Sequence, residues 1–208
     1  MKPNKSTDTN LYPYHLVACL HDSRTSQRMI DYKARQRRFK GTKPFPDVIF
    51  MTKEEEEILA ETVKGIVFEK GLNIVAFNVC RDHIHILIKC NTDDISKIMH
   101  QIKGRTSRVC NQHRRLVSKG IHPLETINSP LETINHPLET INYPLVEKAK
   151  PFWTQKFSCT YIKDSQHYLN TINYIQNNRV KHKLSKNPVL EKIITSFVNY
   201  RDNEMATN

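Results

Sequence analysis

An α+β fold built on one antiparallel sheet is the architecture the sequence predicts, and three observations predict it. Residues 14–20 (YHLVACL) have strand length and strand composition. Residues 73–80 (NIVAFNVC) and 83–90 (HIHILIKC) are two β-rich runs joined only by Arg81-Asp82, a connection short enough to demand an antiparallel hairpin. Two segments with helical periodicity, 52–71 and 95–112, alternate with these strands.

Taken in order, the first strand runs into the basic stretch SRTSQRMIDYKARQRRFKGTKPFP (23–46), whose Gly and Pro make its end irregular. The helix over 52–71 opens with Thr52 as cap and an acidic first turn. It places Ile58, Leu59, Val63, Ile66 and Val67 on one side and stops at Gly71. After the hairpin, 95–112 carries Ile95, Ile98, Met99 and Ile102 on one face. A fourth strand is expected over 157–164 (FSCTYIKD), followed by a helix over 165–184 that is capped by Ser165 and bears Leu169, Ile172 and Ile175. Between them, His122–Asn142 holds three near-identical xPLETIN units. Proline at every seventh residue excludes a coiled coil, so the segment is expected to be an irregular surface loop. The order β-α-β-β-α-β plus a helix is the ferredoxin-like, or split βαβ, arrangement, which packs both helices on one sheet face and leaves the other free for a site. The expectation is one domain over 1–208, with a basic excursion at 22–52 and a repeat insertion at 121–150.

Lys and Arg number 32 against 21 Asp and Glu, for a formal charge of +11. Acid-poor runs at 24–43, 95–123 and 165–190 concentrate that charge, which implies a polyanionic partner. The residues read as DNA-binding are Arg35, Arg37, Arg38, Lys40, Lys103, Arg105, Arg108, Arg114, Arg115 and Arg179. No apolar run approaches the ~20 residues of a membrane span and no signal-peptide core is seen, so a cytoplasmic location without membrane contact is expected. Five cysteines without CxxC spacing read as reduced, mostly buried thiols.

The strand RDHIHILIKC carries the chemistry. Alternation puts His83 and His85 on one face and Ile84, Ile86 and Ile88 on the other. Two same-face imidazoles stand about 7 Å apart at Cα, close enough to share one cation, and a cation beside bound nucleic acid activates a phosphodiester. The nucleophile is then sought among Tyr161, Tyr168 and Tyr174. Tyr174 has Asn178 at i+4 on the same helix face, which lets an amide join the two imidazoles while the phenol meets phosphate, and Tyr168 has no such amide.

At these residues the chain resembles the single-tyrosine HUH transposases of insertion sequences, the REP-associated tyrosine transposases in particular. His83-Ile84-His85 resembles their histidine, hydrophobe, histidine signature, YIQNNRVKHKL (174–184) resembles YIxxNPVKxGL, and PFWTQKF (151–157) resembles their Trp-Gln segment. Arg179 stands at the pattern's proline and Lys183 where Ala or Gly is common. The resemblance spans 14–184. It implies Mg²⁺ or Mn²⁺ on His83, His85 and Asn178, Tyr174 as nucleophile, and single-stranded or hairpin DNA as partner. The expected function is DNA nicking and rejoining through a 5′-phosphotyrosine. The alternative is a domesticated hairpin-binding protein without cleavage. An RRM-like RNA module ranks last, since neither hairpin strand carries RNP1 aromatics. Whether the chain forms a homodimer, with the tyrosine helix serving its own sheet or a partner's, is left open.

Overall fold

The computed structural model describes residues 11–21, 50–120 and 151–198. The segments 22–49 and 121–150 lie outside the described residues, and with them Arg35, Arg37, Arg38, Lys40 and the xPLETIN units. The elements are β1 (Tyr12–Cys19), α1 (Lys53–Lys70), β2 (Asn73–Cys80), β3 (His83–Cys90), α2 (Ile95–Ser118), β4 (Ser158–Tyr161), α3 (Ser165–Gln176), α4 (Asn178–Lys181) and α5 (Pro188–Thr195).

The sheet order is β2-β3-β1-β4, and each neighbouring pair is antiparallel. Two β-α-β units therefore interleave, each with one strand of the other between its own parallel strands: β1-α1-β2 around β3, and β3-α2-β4 around β1. β1 and β3 are the two central strands. On one face, Leu16 and Ala18 of β1 and Ile84, Ile86 and Ile88 of β3 bury with Leu59, Val63 and Ile66 of α1 and Met99 and Ile102 of α2. Each such side chain contributes roughly 1.5–3 kcal/mol through removal from water. Trp153 and Phe152 belong to this core, with the indole Nε1 donating to Thr106 Oγ1 at 2.9 Å.

Local chemistry fixes the ends of α1. Thr52 and Glu55 form a reciprocal capping box, and Gly71 closes the helix in the left-handed region at φ 57°, ψ 45°. The hairpin turn is anchored from outside: the Leu20 amide donates to Asp82 O and the Met51 amide to Arg81 O, both at 2.7 Å.

Several features depart from the sequence expectation. The cap of α3 is Asp164, whose side chain accepts from the His167 amide, and Ser165 is the first helical residue. The helix expected over 165–184 is broken at Asn177, which ends α3 and opens the four-residue α4. α2 continues to Ser118, beyond the expected 112. The sheet face opposite α1 and α2 is not free. α3 lies on it, packing Ile175 against Val75, Ala76 and Leu87. Beyond these, α5 has no counterpart in the sequence expectation. Asn187 caps it, Pro188 opens it, and Leu190, Ile193 and Phe197 enter the main core.

Arg179, at the start of α4, locks this C-terminal region to the rest of the fold. Its guanidinium donates to Glu56 of α1 and to the Val79 carbonyl of β2 at 2.8 Å each, and to the Ser185 carbonyl at 3.0 Å. Glu56 is buried at 2 % side-chain exposure, and burial pushes its carboxyl pKa up while the guanidinium pulls it down.

Two outcomes are expected in urea unfolding. Gly71 and Lys183 share the left-handed conformation, Lys183 at φ 55°. Gly71→Ala should therefore lose about 1–2 kcal/mol, while Lys183→Gly gains about 0.5–1 kcal/mol. Arg179→Ala should cost roughly 3 kcal/mol at neutral pH, because it strands a buried carboxylate. Removing the cation raises the Glu56 pKa further, so the deficit should shrink as pH falls through that raised value and the carboxyl takes a proton. A deficit independent of pH would contradict this account.

Candidate active site

The period-2 alternation that sends isoleucines into the core sends the polar residues of the central strands to the opposite face. There the register sets Val17 and Asn78 opposite His85, and Cys19 and Cys80 opposite His83. His15 lies one step diagonally from His85. The break at Asn177 turns the chain so that Asn178, fully buried, points into the same cluster.

His83 and His85 meet edge to face with ring centroids 4.8 Å apart. The Tyr174 ring stands 5.3 Å from that of His85, in the same chain, and 6.1 Å from that of His15. The Asn178 side-chain nitrogen lies 2.9 Å from Nε2 of His85, and Cys80 Sγ donates to Asn178 Oδ1 at 3.2 Å. Nδ1 of His83 lies 2.6 Å from Oδ1 of Asp82, and His182 stacks edgewise on His83 at 5.1 Å. The Lys181 ammonium sits 4.8 Å from the centre of the Tyr174 ring.

The imidazoles are not exposed on an open face, as the alternation alone implied. α3 and α4 cover this half of the sheet, leaving His83 8 % and His85 4 % exposed. Burial, followed by the neighbouring His83 and His15, pushes the His85 pKa down to about 3, so its ring is neutral near pH 7. Burial lowers His15 and His182 as well.

Neutral imidazoles are the form that binds metal. The Asp82 carboxylate accepts from Nδ1 of His83, which leaves the Nε2 lone pair of that ring available. Among the described residues no three His, Cys, Asp or Glu side chains are grouped to hold a metal ion, so the donor set here is two imidazoles and one amide. The amide presents Nδ2, not Oδ1, to His85. A half turn about its last bond exchanges the two ends and offers Oδ1 toward the histidines, with Nδ2 facing Cys80. The residue types therefore fit a divalent cation of intermediate hardness.

Of the other tyrosines, Tyr161 pairs with Tyr14 on the opposite face, packing at 5.6 Å, and Tyr168 lies beside Lys89 and the Ile172–Ile175 patch. Neither meets the histidines. The basic residues read as DNA-binding are placed unevenly. Lys103 donates to the Thr154 and Gln155 carbonyls at 2.8 Å each, Arg114 is paired with buried Glu55 and lies over Phe152, and Arg179 is held as described. These three have structural roles in place of free contact surface. Arg105 pairs with exposed Glu69, while Arg108 and Arg115 face solvent. All the α2 residues stand across the sheet from the histidines.

Sequence reasoning missed His15, His182, Asp82, Lys181 and Cys80. For His15 the signal was present: Tyr14, Leu16 and Ala18 alternate inward, which sends the residue between them to the histidine face.

Residues 48–123 match the family model described as "Transposase IS200 like". That segment contains His83 and His85; His15, Tyr174 and Asn178 lie outside it. A comparison with curated proteins finds no match. Among solved structures, the chain is similar to a REP-associated tyrosine transposase bound to a REP hairpin, at 15 % identity and TM-score 0.45, covering 89 % of this chain and 76 % of that one. It is also similar to a putative transposase from Deinococcus radiodurans R1, at 13 % identity and TM-score 0.38, covering 89 % of this chain and all of the other. The segment 48–123, which supplies both helices of the core and the histidine strand, is thus the part of the chain that is similar to the IS200-like transposase family.

Proposed function

We propose that this chain is a single-tyrosine transposase that nicks and rejoins single-stranded DNA at hairpin-bearing ends, with Tyr174 as nucleophile. The observation that carries the reading is the meeting of Tyr174, His85 and Asn178 within one chain: ring centroids at 5.3 Å and an amide contact at 2.9 Å. The net charge of +11 supports a polyanionic substrate.

In this reading Tyr174 Oη attacks a backbone phosphorus. A bond forms between Oη and phosphorus as the bond to the 3′ oxygen breaks, the phenolic proton is released, and the departing oxygen gains one. The products are a 5′-phosphotyrosine and a free 3′-hydroxyl, and resealing is the reverse. The ester conserves the phosphodiester energy, so no nucleotide cofactor is required. Mg²⁺ or Mn²⁺, held by His83, His85 and Asn178, supplies when bound a positive charge against a non-bridging phosphate oxygen. Lys181, beside the Tyr174 ring, adds a cation to the same place. Because Tyr174 reaches the histidines of its own chain, a second copy is not required for the site. We read the chain as one domain over 1–208, with a basic excursion at 22–52 and a repeat insertion at 121–150.

Tyr174→Phe keeps the ring and removes the attacking oxygen. It should bind a labelled hairpin oligonucleotide like the parent and give no covalent adduct with Mn²⁺, whereas Tyr161→Phe and Tyr168→Phe still give one. Adduct formation by Tyr174→Phe would refute the assignment. Hairpin binding without adduct in the parent would leave a DNA-binding protein that does not cleave. Excess EDTA should abolish the adduct, and undiminished cleavage in it would remove the cation from the mechanism.

A further inference from the structure

His15 touches both halves of the proposed machinery. Its Nε2 lies 2.9 Å from Nδ1 of His85, the two rings stack at 5.1 Å with planes 26° apart, and the Tyr174 ring meets it edge-on at 6.1 Å. It comes from β1, 70 residues earlier in the chain, and the register with Leu87 opposite His15 makes it the diagonal neighbour of His85.

With the Asn178 amide oriented as it stands, Nδ2 toward His85, the contacts around that ring fit one arrangement of protons. Cys80 Sγ donates to Asn178 Oδ1, so the amide's other end, Nδ2, is a donor, and the atom it meets, Nε2 of His85, is an acceptor. A neutral imidazole that accepts at Nε2 carries its proton at Nδ1. That N–H then donates to Nε2 of His15, whose own proton is at Nδ1. With the His85 proton moved to Nε2, two N–H groups would face each other at the amide. The two imidazoles of β3 are thus matched: Asp82 accepts behind His83 and His15 accepts behind His85, which leaves Nε2 of each without a proton, that of His85 facing Asn178.

We propose that His15 is a positioning residue: by accepting from Nδ1 of His85 it holds that ring in the tautomer and orientation that present Nε2 to a divalent cation, and its edge contact keeps the Tyr174 ring beside the same point. This rests on the reading of His85 as a cation ligand. A polar acceptor behind a ligating imidazole fixes its tautomer and raises its basicity, and losing one typically lowers metal affinity about 10–100-fold.

The test uses the full chain in two states. In the metal-free protein labelled with ¹⁵N-histidine, long-range ¹H–¹⁵N spectra should show His85 as the Nδ1–H tautomer, and an Nε2–H tautomer would overturn the proposal without need of a variant. His15→Phe keeps a ring and removes the acceptor, whereas His15→Gln keeps an acceptor. Mn²⁺ affinity read by electron paramagnetic resonance should fall about 10–100-fold in His15→Phe and return toward the parent value in His15→Gln, with metal-free binding of a hairpin oligonucleotide unchanged. Parent-like Mn²⁺ affinity in His15→Phe, with loss in His85→Ala, would overturn the role of His15 alone. Parent-like affinity in His85→Ala as well would overturn the cation reading beneath it.

Discussion

The register between β1 and β3 is the constraint on which the rest of the structure depends. Those strands are central, and the pairing of Val17 with His85 and Leu16 with Ile86 assigns every residue of both to a face. Strand side chains alternate, so a slip of one residue would carry the imidazoles into the core beneath α1 and α2 and turn the isoleucines out. That exchange would bury polar rings among aliphatic ones and expose several large apolar groups. The cost fixes the register, and the register brings histidines distant in sequence into contact.

On the second face, polar groups are buried and most are hydrogen-bonded, although Oδ1 of Asn78 meets no partner among the described residues. His83, His85, Asn78 and Asn178 are all below a tenth exposed. Each imidazole has hydrogen-bond partners, and Asn78 donates to the Ile175 carbonyl at 2.6 Å. That last bond ties β2 to the end of α3, where the helix breaks and lets Asn178 turn inward. A straight helix through 177 would carry Asn178 on along the α3 axis. The interruption thus converts an i, i+4 relation on one helix into a meeting of two elements around His85. Arg179 then secures the turn to α1 and β2. A proline, which occupies that position in the motif this segment resembles, restrains the turn through its ring; here an ion pair reaching another layer of the protein does so.

Much of this was legible in the sequence, for identifiable reasons. Period-2 and period-3.6 patterns gave the strands and both core helices, since burial of one face imposes those periods directly. Tyr174, Asn178, His83 and His85 could be singled out because their spacing is local. His15 and His182 escaped because their relation to the site is created by strand pairing and by the turn after α3, whereas Asp82, adjacent to His83 in the chain, was read only as part of the hairpin connection. The exposure of the histidines was not legible, because alternation tells which face a residue takes and not what later covers it. The same gap explains Lys103, Arg114 and Arg179. Charge counts cannot distinguish an arginine in solvent from one paired with Glu55 or Glu56 in the interior. α5 was overlooked although its Asn-Pro start and its apolar spacing were present, because it follows the last recognised motif.

The thiol that donates to Asn178 has a chemical consequence. Cys80 is buried and its pKa is pushed up to about 12, chiefly by burial. Thiolate is the species that attacks peroxides, disulfides and alkylating agents, and at neutral pH the protonated thiol dominates here. Cys80 is therefore a chemically silent sulfur: it holds one end of the amide while being almost inert to oxidants that would turn it into a bulky acid and push Asn178 away. Its counterpart Cys159, exposed on β4 with a smaller rise, is the thiol such reagents meet first.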